Sequence, residues 1–104
     1  MRRFKVFISP LAFNDIQKAI DYYNDKQKGL GKRFHVAVKS AVGALRINPF
    51  YQLRYDNVRC FSVKRFPYML HFTVHEEVKT VIIHAVIHTS LDLETPGKSS
   101  GTTS

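Results

Sequence analysis

The chain has 104 residues, of which 44% are hydrophobic, so it can form one small domain with its own core but not two. Sixteen lysines and arginines against eight acidic residues give a formal net charge of +8, which favours a polyanionic partner over a plain basic protein without partners, although charge alone leaves both open. The sequence lacks both a long apolar run and a signal-peptide pattern and has a single cysteine, Cys60, so we expect a cytoplasmic protein without membrane partners, internal disulfides or a cysteine-based zinc site.

The first predicted elements are a strand and a helix. Residues 3–9 alternate between apolar and other side chains, as in a half-buried strand whose inward residues are Phe4, Val6 and Ile8. Ser9 followed by Pro10 is typical of a helix N-terminus. An apolar stripe at helical spacing then continues to about Asp25, and it consists of Ala12, Ile16, Ala19, Ile20 and Tyr23.

A second helix is predicted from Leu30 to Ile47, after a glycine-marked break and before the stop signal Asn48-Pro49. Its inward residues are Phe34, Val38, Ala41, Val42 and Leu45. The short break predicts that the two helices form an antiparallel hairpin. Four cations cluster at its bend, and such clusters are usually only solvated, although this one could also steer the protein toward rRNA or an acidic partner. They are Lys26, Lys28, Lys32 and Arg33.

The rest of the chain is predicted to be β-structure, with strands at residues 51–55, 58–66, 68–75 and 80–88. Residues 94–104 are small and polar and are expected to be a disordered tail after a single domain of residues 1–93. Alternation in the last two strands predicts that the helices cover the face carrying Leu70 and Ile83. With a four-residue turn, His71 would fall opposite His84 on the other face. That histidine face would hold His71, His75, His84 and His88.

The segment VRCFSVKRFPYMLHF, residues 58–72, combines three cations with four aromatic rings. We expect the rings to pack inward and the cations Arg59, Lys64 and Arg65 to be presented outward. The rings belong to Phe61, Phe66, Tyr68 and Phe72. A segment of this kind could hold an acidic amphipathic partner on apolar patches between the cations.

Several of these residues occur in an order that resembles the ParE/RelE-family toxins of type II toxin–antitoxin modules, also called plasmid stabilisation proteins. They are Arg59, the stretch Phe66-Pro67-Tyr68, the apolar strand to Val74, and His88. The helix hairpin and the stretch Ile47-Asn48-Pro49 are similar as well, so the resemblance spans residues 3–93. It implies an α+β fold with an N-terminal strand, an antiparallel helix hairpin, and a C-terminal antiparallel sheet packed on the helices. It also implies a growth-inhibiting toxin that needs no cofactor and is neutralised by a cognate antitoxin.

The resemblance leaves the target open, because ParE-like members poison DNA gyrase whereas RelE-like members cut mRNA on the ribosome. Thr89 and Ser90 stand where ParE-like chains often have arginines, and no aromatic residue follows His88, although RelE-like nucleases usually have one. The missing aromatic favours DNA gyrase as the target. The alternatives are a metal-independent, ribosome-dependent mRNA endonuclease and, in another class, an inactive or non-toxic basic RNA-binding domain.

For the nuclease alternative, the resemblance points to His88 as acid or base, with Arg59, Lys64 and Arg65 stabilising the phosphate. Tyr68 or Phe66 would then stack on a displaced base. No metal is expected, since zinc needs three or four ligands and the turn carboxylates of Glu76 and Glu77 lie too far from the histidines. Whatever the target, the predicted binding residues are Arg54, Arg59, Lys64, Arg65, Tyr68, His71, His84, Thr89 and Ser90.

Overall fold

A strand and two helices open the fold, as their sequence signals predict. The computed structural model describes residues 3–92 and the side chains of residues 3–90; the expected disordered tail at residues 94–104 lies outside this part. Strand β1 (Lys5–Ile8) leads through Ser9 into helix α1 (Pro10–Lys26), and the Ser9 hydroxyl accepts a hydrogen bond of 3.2 Å from the Ala12 N–H. This cap satisfies a free N–H of the first helical turn.

Helix α2 (Leu30–Ile47) packs back against α1, which confirms the predicted hairpin. Gly29 precedes it with φ +85°, a left-handed conformation that favours glycine. Gly31 lies where the helices approach most closely, since a Cβ at this position would lie 2.5 Å from the carbonyl oxygen of Ile20. Its N–H donates to the side-chain oxygen of Asn24 over 2.9 Å, which ties the two helices together.

Five strands form one mixed sheet in the order β1-β5-β4-β3-β2. The later strands are β2 (Leu53–Tyr55), β3 (Val58–Ser62), β4 (Tyr68–His75) and β5 (Thr80–His88). A single 3-10 turn (Glu76–Val78) joins β4 to β5, and a short helix α3 (Thr89–Asp92) follows β5. Strands β2 to β5 pair antiparallel as expected, and β1 adds a parallel edge next to β5.

A β-bulge in β5 makes one predicted pairing wrong. His71 pairs with Ala85 and Phe72 pairs with Ile83, so His84 is the extra residue between them. His71 is therefore not opposite His84. The bulge also moves the residues after His84 to the other face, so that Val86, 3% exposed, lies in the core in place of Ala85.

Both helices cover one face of the sheet, and the core lies between them. Leu70, Phe72 and Ile83 are fully buried on this face, as the alternation predicts. Strand β3 is shorter than predicted because the chain leaves the sheet after Ser62 and turns at Lys64 and Arg65. In the part of the chain that the structure describes, no helix is long and apolar enough to cross a lipid bilayer.

Candidate functional site

A groove of about 700 Å³ runs between the first half of α2 and the loop that joins β3 to β4. We call it the basic groove. Its lining residues are Gly29, Leu30, Lys32, Arg33, Val36, Ala37, Ser40, Lys64, Arg65 and Phe66. Four of these are cations and none is acidic among the residues described. The groove therefore combines apolar surface with positive charge, and the dipole of α2 adds partial positive charge at its N-terminal end.

An aromatic cluster fixes the β3–β4 loop beside the hairpin. The ring of Phe66 lies 5.0 Å from Tyr23 and 5.1 Å from Phe34, between ring centroids and in edge-to-face arrangements. Tyr68 contacts Phe34 at 5.2 Å. Aromatic pairs at these distances stabilise a fold beyond the area that they bury. The rings thus hold the loop cations in place across the groove from those of α2.

The loop itself is anchored by Val63, which is 1% exposed and exchanges backbone hydrogen bonds with its neighbours. Its N–H donates to the Tyr68 carbonyl over 2.9 Å, and its carbonyl accepts from the Phe66 N–H over 3.1 Å. Between these anchors Arg65 adopts φ +72°, a conformation that side chains other than glycine rarely take. The backbone strain places an exposed guanidinium at the groove.

His88 lies in a separate recess of about 310 Å³ on the helix-covered side of the sheet, between β5 and α1. Its ring is 5.2 Å from that of Tyr68, between centroids. The Ser90 N–H donates to Nδ1 of His88 over 3.2 Å, and the Ser90 hydroxyl lies 2.8 Å from the same atom. Since a backbone N–H can only donate, Nδ1 is an acceptor and the proton of the neutral ring is on Nε2. In this state Nε2 can donate a hydrogen bond to a ligand but cannot accept one.

Tyr68 is held in its neutral form near neutral pH. Burial is the main factor that raises its pKa above the ordinary value of 10.0, and the charges of Tyr22 and Asp15 add to the increase. The pKa of Tyr23 is raised as well, first by burial and then by Tyr68 and Tyr22. Both hydroxyls therefore remain hydrogen-bond donors under physiological conditions.

The structure corrects the expected position of Arg59, which does not present its charge beside Lys64 and Arg65. Arg59 pairs with Phe72 across the sheet, so its side chain is on the helix-covered face. Its Nη1 donates to the Tyr51 carbonyl over 3.1 Å, and its guanidinium carbon lies 5.6 Å from the centre of the Phe50 ring. Its Nε is buried and has no hydrogen-bond partner among the residues described. Arg59 thus fixes the chain before β2.

Three of the predicted histidines lie on the open face of the sheet, but His88 does not, because the bulge at His84 reverses the faces. His75 and His84 each place Nε2 2.9 Å from the hydroxyl of Thr73. His71 is 1% exposed, and its Nδ1 lies 3.1 Å from the Tyr55 hydroxyl. Within residues 3–92, no group of three or more His, Cys, Asp or Glu side chains is arranged to hold a metal ion.

The comparisons with known proteins agree with this fold. The family model of the ParE toxin of the type II toxin–antitoxin system parDE matches residues 6–93. The chain belongs to this family. It is therefore the toxin of a type II toxin–antitoxin system. No curated protein matches the chain significantly.

Two solved structures resemble this ParE-family toxin along most of its length. A chain of the chromosomal ParDE toxin–antitoxin system of P. aeruginosa has a TM-score of 0.71 at 16% identity, covering 82% of this chain and 95% of that one. A chain of the toxin–antitoxin complex RelBE2 of Mycobacterium tuberculosis has a TM-score of 0.59 at 27% identity, covering 85% and 93%. These similarities confirm the RelE/ParE-like α+β fold.

The predicted site residues of the ParE-family toxin fall into several surroundings. Lys64 and Arg65 lie in the basic groove, and Tyr68 lies in the recess of His88. Ser90 is hydrogen-bonded to the ring of His88. Arg54, on the open face, donates to the sulfur of Met69 over 3.6 Å. Thr89 begins α3, and its N–H donates to the Pro67 carbonyl over 2.8 Å.

Two groove residues were missed as site residues, namely Lys32 and Arg33, which sequence reasoning assigned to a solvated bend. The signal that could have found them is their place in the first turn of α2 among apolar residues that repeat at helical spacing, such as Leu30 and Ala37. A cation next to an apolar stripe lies at the edge of a packed surface, as Lys32 and Arg33 do here. Lys26 and Lys28 do not line the groove.

Proposed function

We propose that this ParE-family toxin inhibits growth by binding DNA gyrase, without catalysing a reaction, and that a cognate antitoxin neutralises it by occupying the basic groove. The observation that carries the first part is the separation of the candidate catalytic groups. His88 lies in its own recess, Arg59 is fixed under Phe50, and Lys64 and Arg65 line the groove. RNA cleavage through a 2′-hydroxyl needs an acid, a base and cations at one phosphate.

The state of His88 also favours binding over catalysis. With Nδ1 accepting from Ser90, the neutral ring carries its only proton on Nε2. A general base at Nε2 would require the ring proton to move to Nδ1, which already accepts from the Ser90 N–H. The groups around His88 are instead suited to contact a surface, because they combine the rings of Tyr22 and Tyr68 with Lys18.

The groove supports the second part of the proposal. It joins four cations to apolar side chains, and such a surface fits an acidic amphipathic segment that places its apolar side on the floor and its carboxylates on the rim. The two solved structures compared above come from toxin–antitoxin systems, ParDE and RelBE2. The net charge of +8 would speed the encounter with an acidic partner.

A second candidate is the ribosome-dependent cleavage of mRNA, favoured by the likeness to the RelBE2 complex at 27% identity. In this case the groove cations would contact RNA phosphates, and His88 would act as an acid through Nε2 in its doubly protonated form, with the Ser90 hydroxyl accepting from Nδ1. The apo arrangement would have to tighten on the ribosome to bring Arg59 and His88 to one phosphate.

Two assays on the same purified protein separate these functions. In the first, gyrase is assayed for DNA supercoiling and for trapped cleavage complexes; in the second, mRNA 5′ ends are mapped in a reconstituted translation reaction. The control is the double variant Arg59→Ala, His88→Ala. Inhibition of gyrase without new mRNA ends supports the proposal. Ribosome-dependent cuts that disappear in the double variant would replace it with the nuclease, and folded protein inactive in both assays would leave a non-toxic basic RNA-binding domain.

A further inference from the structure

Cys60, His71 and Tyr55 form a compact cluster on the open face of the sheet, away from the basic groove. Cys60 on β3 and His71 on β4 are direct cross-strand partners, and the sulfur lies 3.5 Å from Nδ1 of His71. The Tyr55 hydroxyl lies 3.1 Å from the same nitrogen. The sheet register therefore fixes a thiol beside an imidazole, which is the arrangement of a nucleophile and its base.

The thiol also has access to solvent. Cys60 is partly exposed and lines a recess of about 600 Å³ in front of β2, whereas His71 behind it is 1% exposed. The other lining residues are Tyr51, Gln52, Leu53 and Arg54. A small reagent can thus reach the sulfur, and it meets a guanidinium in the same recess. Positive charge and an adjacent base are the features that distinguish reactive cysteines from inert buried ones.

We propose that Cys60 is a modification site at which hydroperoxides oxidise the thiol to a sulfenic acid, with His71 as the base. Nδ1 of His71 takes the S–H proton, and the thiolate attacks the terminal oxygen of the hydroperoxide. An S–O bond forms while the O–O bond breaks, so the sulfur loses two electrons and the peroxide gains them. The departing alkoxide or hydroxide takes the proton from Nδ1 and leaves as alcohol or water.

One effect at this site opposes the proton transfer and two favour it. Burial of His71 disfavours the imidazolium that the proton transfer creates. The shared position of Nδ1 between the sulfur and the Tyr55 oxygen favours it, because a protonated Nδ1 can donate to either atom. The guanidinium in the recess favours the thiolate. Proton transfer to His71 follows when the shared Nδ1 and the guanidinium together outweigh the cost of burying the imidazolium.

Oxidation would have a structural consequence at the sheet edge. The added oxygen would lie beside Tyr55, which belongs to the short edge strand β2 and pairs with Val58 across a register shift. The chain in front of this strand includes Tyr51, whose carbonyl accepts from Arg59. The modification is therefore positioned to displace β2 and the residues before it, and this inference does not depend on the proposed target.

The test uses the whole 104-residue chain, in which Cys60 is the only cysteine, so any thiol adduct on the intact chain is at this residue. Alkylation by iodoacetamide is timed by intact mass from pH 5 to pH 10, and oxidation by hydrogen peroxide is timed with a sulfenic-acid trap. We expect both reactions at pH 7 to be about tenfold faster than in His71→Gln, since an ordinary thiol is only a few per cent thiolate there. Tyr55→Phe keeps the base but removes one acceptor for its proton, so its rate should lie between those of wild type and His71→Gln.

Cys60→Ser should show no adduct, and circular dichroism checks that each variant is folded. If His71→Gln does not fold, the pH–rate profile of the wild-type protein is compared with that of glutathione, a free thiol, under the same conditions. A rate that rises only above about pH 8.5, as for an ordinary thiol, overturns the proposal. Equal rates in wild type and folded His71→Gln overturn it as well.

Discussion

The carboxylate of Asp15 on α1 accepts a hydrogen bond of 3.0 Å from the backbone N–H of Val86 on β5, 71 residues further along the chain. Strand β1 stops pairing with β5 at Ile8 and Ile83, so the edge of β5 beyond this point has no strand beside it. Asp15 supplies the missing acceptor. The helix thereby covers the edge of the sheet just after the bulge at His84.

We expect Asp15→Ala to lower the free energy of unfolding by about 1–3 kcal/mol, because it leaves the N–H of Val86 without an acceptor. Asp15→Asn keeps an oxygen at this position and should lose less. Unfolding in urea measures both. Asp21→Ala removes an exposed carboxylate that accepts a hydrogen bond of 3.0 Å from the Gln17 side chain one helical turn away, and it is the matched control. Equal losses for Asp15→Ala and Asp21→Ala would contradict the role of the bond.

The helices could be predicted closely because residues next to their ends determine where they begin and end. Ser9 and Pro10 begin α1 and Asn48-Pro49 follows α2, and these signals act within one helical turn. The bulge at His84 could not be predicted from the alternation, because a strand pattern assumes that every residue is paired. One unpaired residue moved Val86 into the core and His88 to the helix-covered side.

The candidate site was predictable only in part, for a similar reason. Lys64 and Arg65 were expected to point outward from a strand, whereas the structure exposes them in the turn that follows β3. Arg59 has the same charge but lies within a strand, where its face and the chain that covers it depend on tertiary packing. The recess of His88 depends on the bulge, and the basic groove depends on how α2 meets the β3–β4 loop. No local pattern contains these relationships.

Charge reversal in the basic groove should weaken binding of the antitoxin. We expect Lys32→Glu and Lys64→Glu each to raise the Kd by about tenfold or more at low salt, because a like charge then faces the acidic segment. Calorimetric titration with the antitoxin measures this effect, and added salt should reduce it. Lys39→Glu changes the net charge equally but lies outside the groove, so it serves as control. Equal weakening by all three variants would indicate a general charge effect and not a docking site.

Two glycines of α2 should respond in opposite directions to alanine. Gly31→Ala should destabilise the fold by several kcal/mol, because its Cβ would lie 2.5 Å from the Ile20 carbonyl oxygen, which is backbone and cannot move freely. Gly43→Ala meets no atom within 4 Å and should stabilise the helix by about 0.5–1 kcal/mol. Thermal unfolding of the two variants provides the comparison. A stable Gly31→Ala protein would show that the helices can separate at this crossing.

The aromatic cluster should make stability fall in alkaline solution. The pKa values of Tyr23 and Tyr68 are raised above 10.0 in the folded state, chiefly by burial, so the unfolded chain releases these protons first. Their contribution is fully present below pH about 10 and is lost as the pH rises through the folded-state values. Urea unfolding from pH 7 to pH 11 should show a smaller alkaline loss for Tyr23→Phe than for wild type. The difference between the two proteins should not vary between pH 7 and pH 8.

The strained turn at Arg65 predicts a conflict between stability and binding. Arg65→Gly should raise the free energy of unfolding by about 0.5–1 kcal/mol, because glycine adopts positive φ without the cost that a side chain incurs there. It should also weaken antitoxin binding, since it removes one cation from the basic groove. Lys64→Gly removes a cation from the same loop, but Lys64 does not have positive φ, so this variant should lose both stability and affinity.

The comparison of these two variants separates the cost of the backbone from the effect of the charge. Calorimetric titration should give similar losses of affinity, while urea unfolding should give changes of opposite sign. If Arg65→Gly binds as tightly as wild type, the strained turn does not serve the groove and the guanidinium has no part in docking. If it binds weakly but gains no stability, the conformation at φ +72° is not strained in solution, and the turn owes its shape to the anchors at Val63 and Phe66.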